Sequence, residues 1–450
     1  MDAGNEQTVS ARGAISTIEP SLTASSSTLL YAATIFLSAF LLFLVQPVIA
    51  RQILPWFGGA AAVWAICLVF FQTVLLLGYA YADWTTRRLA PRIQAWLHIG
   101  LLVLSLALLP IAADTRWKPA SGDDPTLLIL GLLAMTIGLP YFLLSTTSPL
   151  VQAWFWQRHR HAVPYRLFAL SNFASLLALL AYPVLIEPVL PLAVQSFSWS
   201  AGYGFFALLC AAVAWSSTGG ARVQAQAGTG EETSAVAPSA GDRLLWVALS
   251  AMGSCLLLAV TNHLTQNIAS IPFLWVVPLS IYLITFILCF DHPRWYRRDV
   301  FLPAVMVLLP LMAWYSDSLA LYKAAPLYAL GLFACCMFCH GELTRLKPAP
   351  RYLTTFYLMV SVGGAAGSLL VGIAAPNLLS GYFEMGIALV ACAALLLARF
   401  VESVMFGLNP HDPLTVIASA IVLAVIGLVA GYVPARRAAR IDPILALRAE

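Results

Sequence analysis

The chain is expected to form an all-α, polytopic bundle of transmembrane helices, and three observations set that class. Hydrophobic residues make up 61% of its 450 positions and charged residues only 10%, whereas an ordinary soluble domain carries about 25% charged residues. Apolar runs of about 20 residues, enough to cross a hydrocarbon core roughly 30 Å thick, follow one another almost end to end, and mean hydropathy is +0.85. Arginine and lysine gather in alternate connections between these runs. The net charge of +4 therefore reports orientation in a membrane and points to no nucleic-acid partner.

Thirteen spans are expected, at 29–50, 59–82, 93–112, 126–149, 167–189, 197–215, 244–262, 268–290, 299–316, 324–341, 352–376, 381–400 and 413–434. Residues 1–28 are polar, carry Arg12 as their sole basic residue and lack a short apolar core with a cleavage site, so they read as a disordered cytoplasmic tail. Arg51 closes span one, and Arg87, Arg88 and Arg92 follow span two. Arg116 and Lys118 follow span three, and Arg158, Arg160 and Arg166 follow span four. Residues 216–243, low in apolar bulk and rich in Gly, Ala, Ser, Thr and Glu, form a flexible linker between spans six and seven. Arg294, Arg297 and Arg298 follow span eight, Lys323 precedes span ten, and Arg345, Lys347 and Arg351 follow it. The even connections thus hold most of the cations, which places them and the N-terminus in the cytoplasm of a bacterial-type inner membrane. All eight cysteines lie in or beside apolar runs, where free cysteine behaves as a small hydrophobe, and imply no disulfide framework.

A weak internal repeat points to two six-span halves, 29–215 and 244–400. Ser175-Leu-Leu with Pro183 in span five recurs as Ser368-Leu-Leu with Pro376 in span eleven, and Leu37-Ser-Ala in span one recurs as Leu249-Ser-Ala in span seven. Such parallel halves are the plan of a major-facilitator-like fold. After span two, Gly78, Asp83, Arg87 and Arg88 resemble the Gly-x3-Asp-Arg-x-Gly-Arg-Arg signature of major facilitators, with Gly78 one residue early and Thr86 in place of the second glycine. The resemblance makes Asp83, Arg87 and Arg88 candidates for a cytoplasmic gate. Read alone, they form a solvated turn.

Several longer blocks narrow the likeness. Gln46-Pro-Val-Ile-Ala-Arg-Gln-Ile-Leu-Pro-Trp-Phe-Gly-Gly59, Leu144-Ser-Thr-Thr-Ser-Pro-Leu-Val-Gln-Ala-Trp-Phe155, Ser171-Asn-Phe-Ala-Ser-Leu-Leu-Ala-Leu-Leu-Ala-Tyr-Pro183, Thr261-Asn-His-Leu-Thr-Gln-Asn267, Cys339-His-Gly-Glu342 and Arg351-Tyr-Leu-Thr-Thr-Phe-Tyr357 look like the membrane half of fused major-facilitator/spermidine-synthase-like proteins. The likeness covers about 29–400. That family usually continues into a cytosolic aminopropyltransferase-like domain, which this chain has no room for after Phe400, so no enzyme activity and no cofactor are expected. Residues 401–450 instead resemble the final span and basic tail of FtsX-like permeases of macrolide-exporter-type ABC transporters, through Phe406-Gly-Leu-Asn-Pro-His-Asp-Pro-Leu414 and Pro434-Ala-Arg-Arg-Ala-Ala-Arg-Ile-Asp-Pro443. A thirteenth crossing would carry Arg436, Arg437, Arg440 and Arg448 outside, against the charge rule.

Polar residues inside apolar runs supply the candidate sites, because an unpaired polar group at membrane depth costs several kcal/mol. His263, Gln266 and Asn267 share one helix face at i, i+3 and i+4 beside Asn262, and Gln46, Asn172 and Glu187 offer polar groups from the first half. Together they are the candidate solute site; a plain helix end explains 262–267 equally. Cys336, Cys339, His340 and Glu342 are a candidate metal or redox group, since 336, 339 and 340 share a face, against the alternative of a packed helix end. The connection from Gln152 to Pro164, with Arg158, His159, Arg160 and His161, is basic enough to attract anionic lipid. The expected function is a transporter-like protein that moves or senses a small polar or cationic solute, polyamine-related only by family association. The alternatives are a membrane module anchoring a cytosolic synthase-like partner, or an inactive fusion.

Overall fold

The computed structural model describes residues 22–57, 61–119, 125–159, 164–218, 237–267, 275–315, 321–379 and 383–404. Among these residues there are twelve long helices: α1 Leu22–Phe57, α2 Ala61–Arg88, α3 Pro91–Leu106, α4 Pro125–Arg158, α5 Tyr165–Val189, α6 Leu192–Thr218, α7 Ala240–Asn267, α8 Val276–Asp291, α9 Arg298–Trp314, α10 Leu321–Arg345, α11 Pro350–Leu378 and α12 Glu384–Val404. Eight of them are long and apolar enough to cross a membrane; α3, α8, α9 and α12 are the others. The expected thirteenth span, 413–434, lies outside the described residues.

Helix boundaries follow local chemistry. The expected third span stops at Leu106, six residues early, because Pro110 cannot continue a helix. The chain that follows is held by side chains, with Ser200 Oγ accepting from the Ile111 N–H at 3.0 Å and Gln52 Oε1 from the Ala113 N–H at 2.9 Å. The N-terminal tail is shorter than expected, since α1 already begins at Leu22, and α4 absorbs Gln152–Arg158 of the expected basic connection. Helices α4, α5 and α11 each contain one π turn, at Ala134–Gly138, Tyr182–Ile186 and Leu370–Ala374. Each turn is followed by one residue and then a proline, Pro140, Pro188 and Pro376. A proline ring clashes with the carbonyl four residues back and donates no hydrogen bond, and a wider turn relieves both problems. This shared device pairs Pro188 with Pro376, so the repeat register differs by five residues from the Ser-Leu-Leu match, which pairs Pro183 with Pro376.

Two apolar cores form separately. One is drawn from α1–α6 and includes Val45, Ile49, Leu144, Trp199 and Phe206; the other is drawn from α7–α12 and includes Leu256, Val305, Leu332, Phe338 and Cys392. In the second, α7 and α11 approach closely at Gly363 and Gly367, where an added Cβ would run into the carbonyl oxygens of Val247 and Ala251. The halves meet chiefly along α5 against α8 and α2 against α11. Two mixed clusters fill this boundary: Leu179 with Val276 and Leu283, and Tyr165 and Phe168 with Phe290, Phe356 and Tyr357.

Candidate functional site

The polar bonds between the halves gather at one end of the bundle, where α2 ends and α11 begins. Asp83, in the last turns of α2 and 8% exposed, presents Oδ1 to the second half. It accepts from Thr354 Oγ1 at 2.8 Å and Thr355 Oγ1 at 2.9 Å. Arg87, one turn on, pairs with the same oxygen at 3.2 Å and donates to Thr355 Oγ1 at 2.6 Å. A carboxylate receiving three donors from two helices fixes their separation, because each donor must keep its angle as well as its distance.

Neighbouring bonds extend this seam. Tyr357 OH donates to Gln152 Oε1 at 2.9 Å, joining α11 to α4, and the Gln152 amide continues to Ser148 Oγ at 3.0 Å. Tyr165 OH donates to the Pro348 carbonyl at 2.7 Å, and Arg166 meets Asp291 at 3.3 Å. Lys347 sits over the Tyr165 ring at 5.1 Å, and partial burial pushes its ammonium below its ordinary pKa. Behind Asp83, Gln94 Nε2 donates to Thr85 and Thr86 hydroxyls at 3.0 and 3.1 Å while its Oε1 accepts from Trp154 Nε1 at 2.9 Å. That buried amide ties α2, α3 and α4 together.

A second tie lies at the same end inside α7–α12. Glu342, fully buried on α10, receives Arg298 Nε at 2.6 Å, Tyr296 OH at 2.8 Å and Arg399 Nη2 at 3.0 Å, with a further contact from Arg298 Nη2. It links α9, α10 and α12.

This geometry corrects the metal reading of Cys336, Cys339, His340 and Glu342. Two guanidiniums occupy the Glu342 oxygens and would repel a cation, and both thiols are buried in the apolar core. Among the described residues no group of three or more His, Cys, Asp or Glu side chains is placed to hold a metal. His340 faces away from Glu342. Thr285 donates its hydroxyl to the Tyr282 carbonyl at 2.8 Å, so it must accept from His340 Nδ1 at 2.9 Å. The network thereby assigns the Nδ1–H tautomer, leaving Nε2 buried without a partner against Gly253 and the ring stacked on Phe286 at 3.6 Å.

Among the described residues, Gln46, Asn172, Glu187 and His263 each meet a different neighbour. Gln46 lies half-buried between α1 and α4, 3.4 Å from Tyr141 OH, and Asn172 donates to its own helix at Phe168 O, 2.9 Å away. Glu187 lies at the opposite end of the bundle, 3.6 Å from Arg51. His263 packs on Tyr328 of α10 at 4.6 Å, within the second half, and Asn262 is half-buried beside it. Thr261 and Thr265 hydroxyls turn back onto α7. Gln266 and Asn267 end α7, and their side chains fall outside the described residues. Of the gate candidates, Asp83 and Arg87 form the seam and Arg88 lies exposed beside it.

Sequence reasoning missed Thr354, Thr355, Gln152, Tyr357, Tyr165 and Gln94. A usable signal existed for most of them: two of the family-like blocks, 144–155 and 351–357, contain four of these residues.

Among the described residues, twelve helices with two separate cores, bridged along α2/α11 and α5/α8, form a bundle whose fold is major-facilitator-like. Solved structures agree. A double-tryptophan mutant of XylE matches with a TM-score of 0.56 at 11% identity, over 84% of this chain and 95% of that one. XylE described as a major facilitator superfamily proton:xylose symporter bound to 6-bromo-6-deoxy-D-glucose matches at 0.52 and 14% identity, over 84% and 96%. A bacterial homologue of the iron transporter ferroportin, in an outward-facing state with soaked iron, matches at 0.56 and 16% identity, over 85% and 99%. At such identities the likeness is one of fold. No protein-family profile and no curated protein matches the chain.

Proposed function

We propose that the chain is a multi-pass inner-membrane transporter that moves a small polar or cationic solute by alternating access between its two halves, 29–215 and 244–400. The observation that carries this reading is the seam of Asp83, Arg87, Thr354 and Thr355, which closes one end of the boundary with polar bonds that can be exchanged for water. Hydrogen bonds exchanged for water cost only about 0.5–1.5 kcal/mol each, so such a seam can open reversibly.

The seam end is the cytoplasmic one. Arg87, Arg88, Arg158, Arg166, Arg298, Arg345 and Arg351 lie at helix ends on that side, while the far side holds Arg51, Arg116, Lys118 and Lys323. The positive-inside rule then supports an N-terminus in the cytoplasm. A polyamine-related solute follows from the family-like sequence blocks alone.

The test is uptake by proteoliposomes of labelled spermidine and, separately, labelled xylose, with wild type and Asp83→Asn. Transport of either that responds to the substitution supports the reading. No uptake together with co-purification of an aminopropyltransferase-like enzyme would replace it with the anchoring module.

A further inference from the structure

We propose that His340 is a proton-binding site that fills only when the seam opens, so that acid favours the open seam. The inference rests on the alternating-access reading and adds an ion that biases it.

His340 is fully buried on α10, where α7 and α8 pack against that helix. Its Nδ1 is committed to Thr285, and its Nε2 is a bare acceptor without a partner among the described residues. An imidazole kept only for packing would have both nitrogens satisfied or none to satisfy, and an ionisable residue inside a membrane bundle is by default a functional candidate. The α7 backbone crowds the unused nitrogen, since a Cβ added at Gly253 would lie 3.0 Å from Nε2.

A proton taken up in this packing would create a second N–H with nothing to receive it. From α8 the ring meets the edge of Tyr282 at 4.9 Å and the face of Phe286 at 3.6 Å. On α10 itself, Cys336 and Cys339 are thiols buried in the apolar core. Glu342, two residues on, has its oxygens held by Arg298, Arg399 and Tyr296. Neither a free carboxylate nor water faces the imidazole from these neighbours, so the closed bundle holds it neutral.

A run of rings ties this site to the boundary between the halves. Phe286 carries His340 on one side and meets Phe168 of α5 edge to face at 5.7 Å. Phe168 in turn stacks on Tyr357 at 4.7 Å, and Tyr357 makes the seam bond to Gln152. Parting the halves takes Phe168 away from Phe286 and lets water in from the boundary. Nε2 then has acceptors for an N–H, and the proton binds. A ligand that binds one state alone shifts the equilibrium toward that state. With an ordinary histidine value of about 6.5 in the open state and no binding in the closed one, the open-to-closed ratio should rise about 30-fold from pH 7.5 to pH 5.

The experiment is double electron–electron resonance on the full chain in lipid nanodiscs, with spin labels at Arg88→Cys and Arg351→Cys, at pH 7.5 and pH 5. The labelled protein should show the 30-fold gain, His159→Phe should keep it, and His340→Gln should hold one ratio at both pH values. A ratio that ignores pH, or the same gain in His340→Gln, would overturn the proposal. Hydrogen–deuterium exchange at the imidazole C2 of His340, read by mass spectrometry, leaves that residue unaltered. Exchange that follows a sigmoidal pH profile supports the site, and no exchange between pH 5 and pH 8 overturns it. Uptake separates this inference from the reading beneath it: spermidine or xylose transport with a pH-independent seam overturns the proton site alone, whereas a pH-driven seam in a protein that moves neither solute supports the site and counts against transport.

Discussion

Removing the Asp83 carboxylate should shift the bundle toward opening at the seam end. The closed state loses two hydroxyl-to-carboxylate hydrogen bonds, at 2.8 and 2.9 Å, worth about 1.5 kcal/mol each when charge-assisted. The Arg87 pair adds at most about 1 kcal/mol, because that guanidinium is half exposed and screened. Threonine hydroxyls released on a helix can turn back to their own carbonyls, which offsets part of the loss. The net is about 2 kcal/mol for Asp83→Ala and about 1 kcal/mol for Asp83→Asn, which keeps one acceptor. At about 1.4 kcal/mol per tenfold, the closed-to-open ratio should fall roughly 30-fold and fivefold. Double electron–electron resonance between spin labels at Arg88→Cys and Arg351→Cys, both exposed on opposite sides of the seam, reads the two populations. Seven of the eight native cysteines are buried, which favours selective labelling. Distance distributions that superimpose for wild type and both variants would refute the reasoning.

Further outcomes are expected elsewhere. Glu342→Leu strands Arg298 and Arg399 in a buried site and should cost about 3–5 kcal/mol, read as a lower unfolding midpoint in detergent, with Glu342→Gln milder. Gly367→Leu forces α11 away from the Ala251 carbonyl and should destabilise by about 1–3 kcal/mol as an overpacked contact, measured the same way. Nitrogen-15 NMR of labelled histidine should show one imidazole with a protonated Nδ1 and a bare Nε2, lost in His340→Gln; two protonated nitrogens would contradict the assigned tautomer. His159, at the end of α4, has its pKa lowered chiefly by burial. The unfolded chain therefore binds the extra proton first, and stability falls as pH drops below about 6.5 toward the folded value. Wild type should lose stability between pH 7 and 5 relative to His159→Phe, and parallel curves would contradict this.

Much of the fold was legible in the sequence because its physics is local. Twenty apolar residues announce a span, so twelve of the thirteen expected spans coincide with described helices. Boundaries were less legible. Pro110 ended α3 early through a ring clash, and the π turns before Pro140, Pro188 and Pro376 leave no trace in hydropathy. The polar seam was half legible, through Asp83 and Arg87, since its other half sits some 270 residues away in Thr354 and Thr355. The surroundings of the candidate solute residues were not legible, for a definite reason. A polar triad at i, i+3 and i+4 shows that a face is polar, but says nothing of which neighbour it meets, and His263 meets Tyr328 in its own half. The metal reading failed similarly, since spacing could not show that Glu342 was already held by Arg298 and Arg399.

The most direct test of the central claim measures both ends of the wild-type bundle at once in proteoliposomes. One spin-label pair spans the seam at Arg88→Cys and Arg351→Cys, and the other spans the far side at Arg51→Cys and Tyr322→Cys, all at exposed positions. Alternating access requires two populations at each end, with the short seam distance accompanied by the long far-side distance and the reverse. A single fixed distance at both ends, unmoved by Asp83→Ala, would contradict the account.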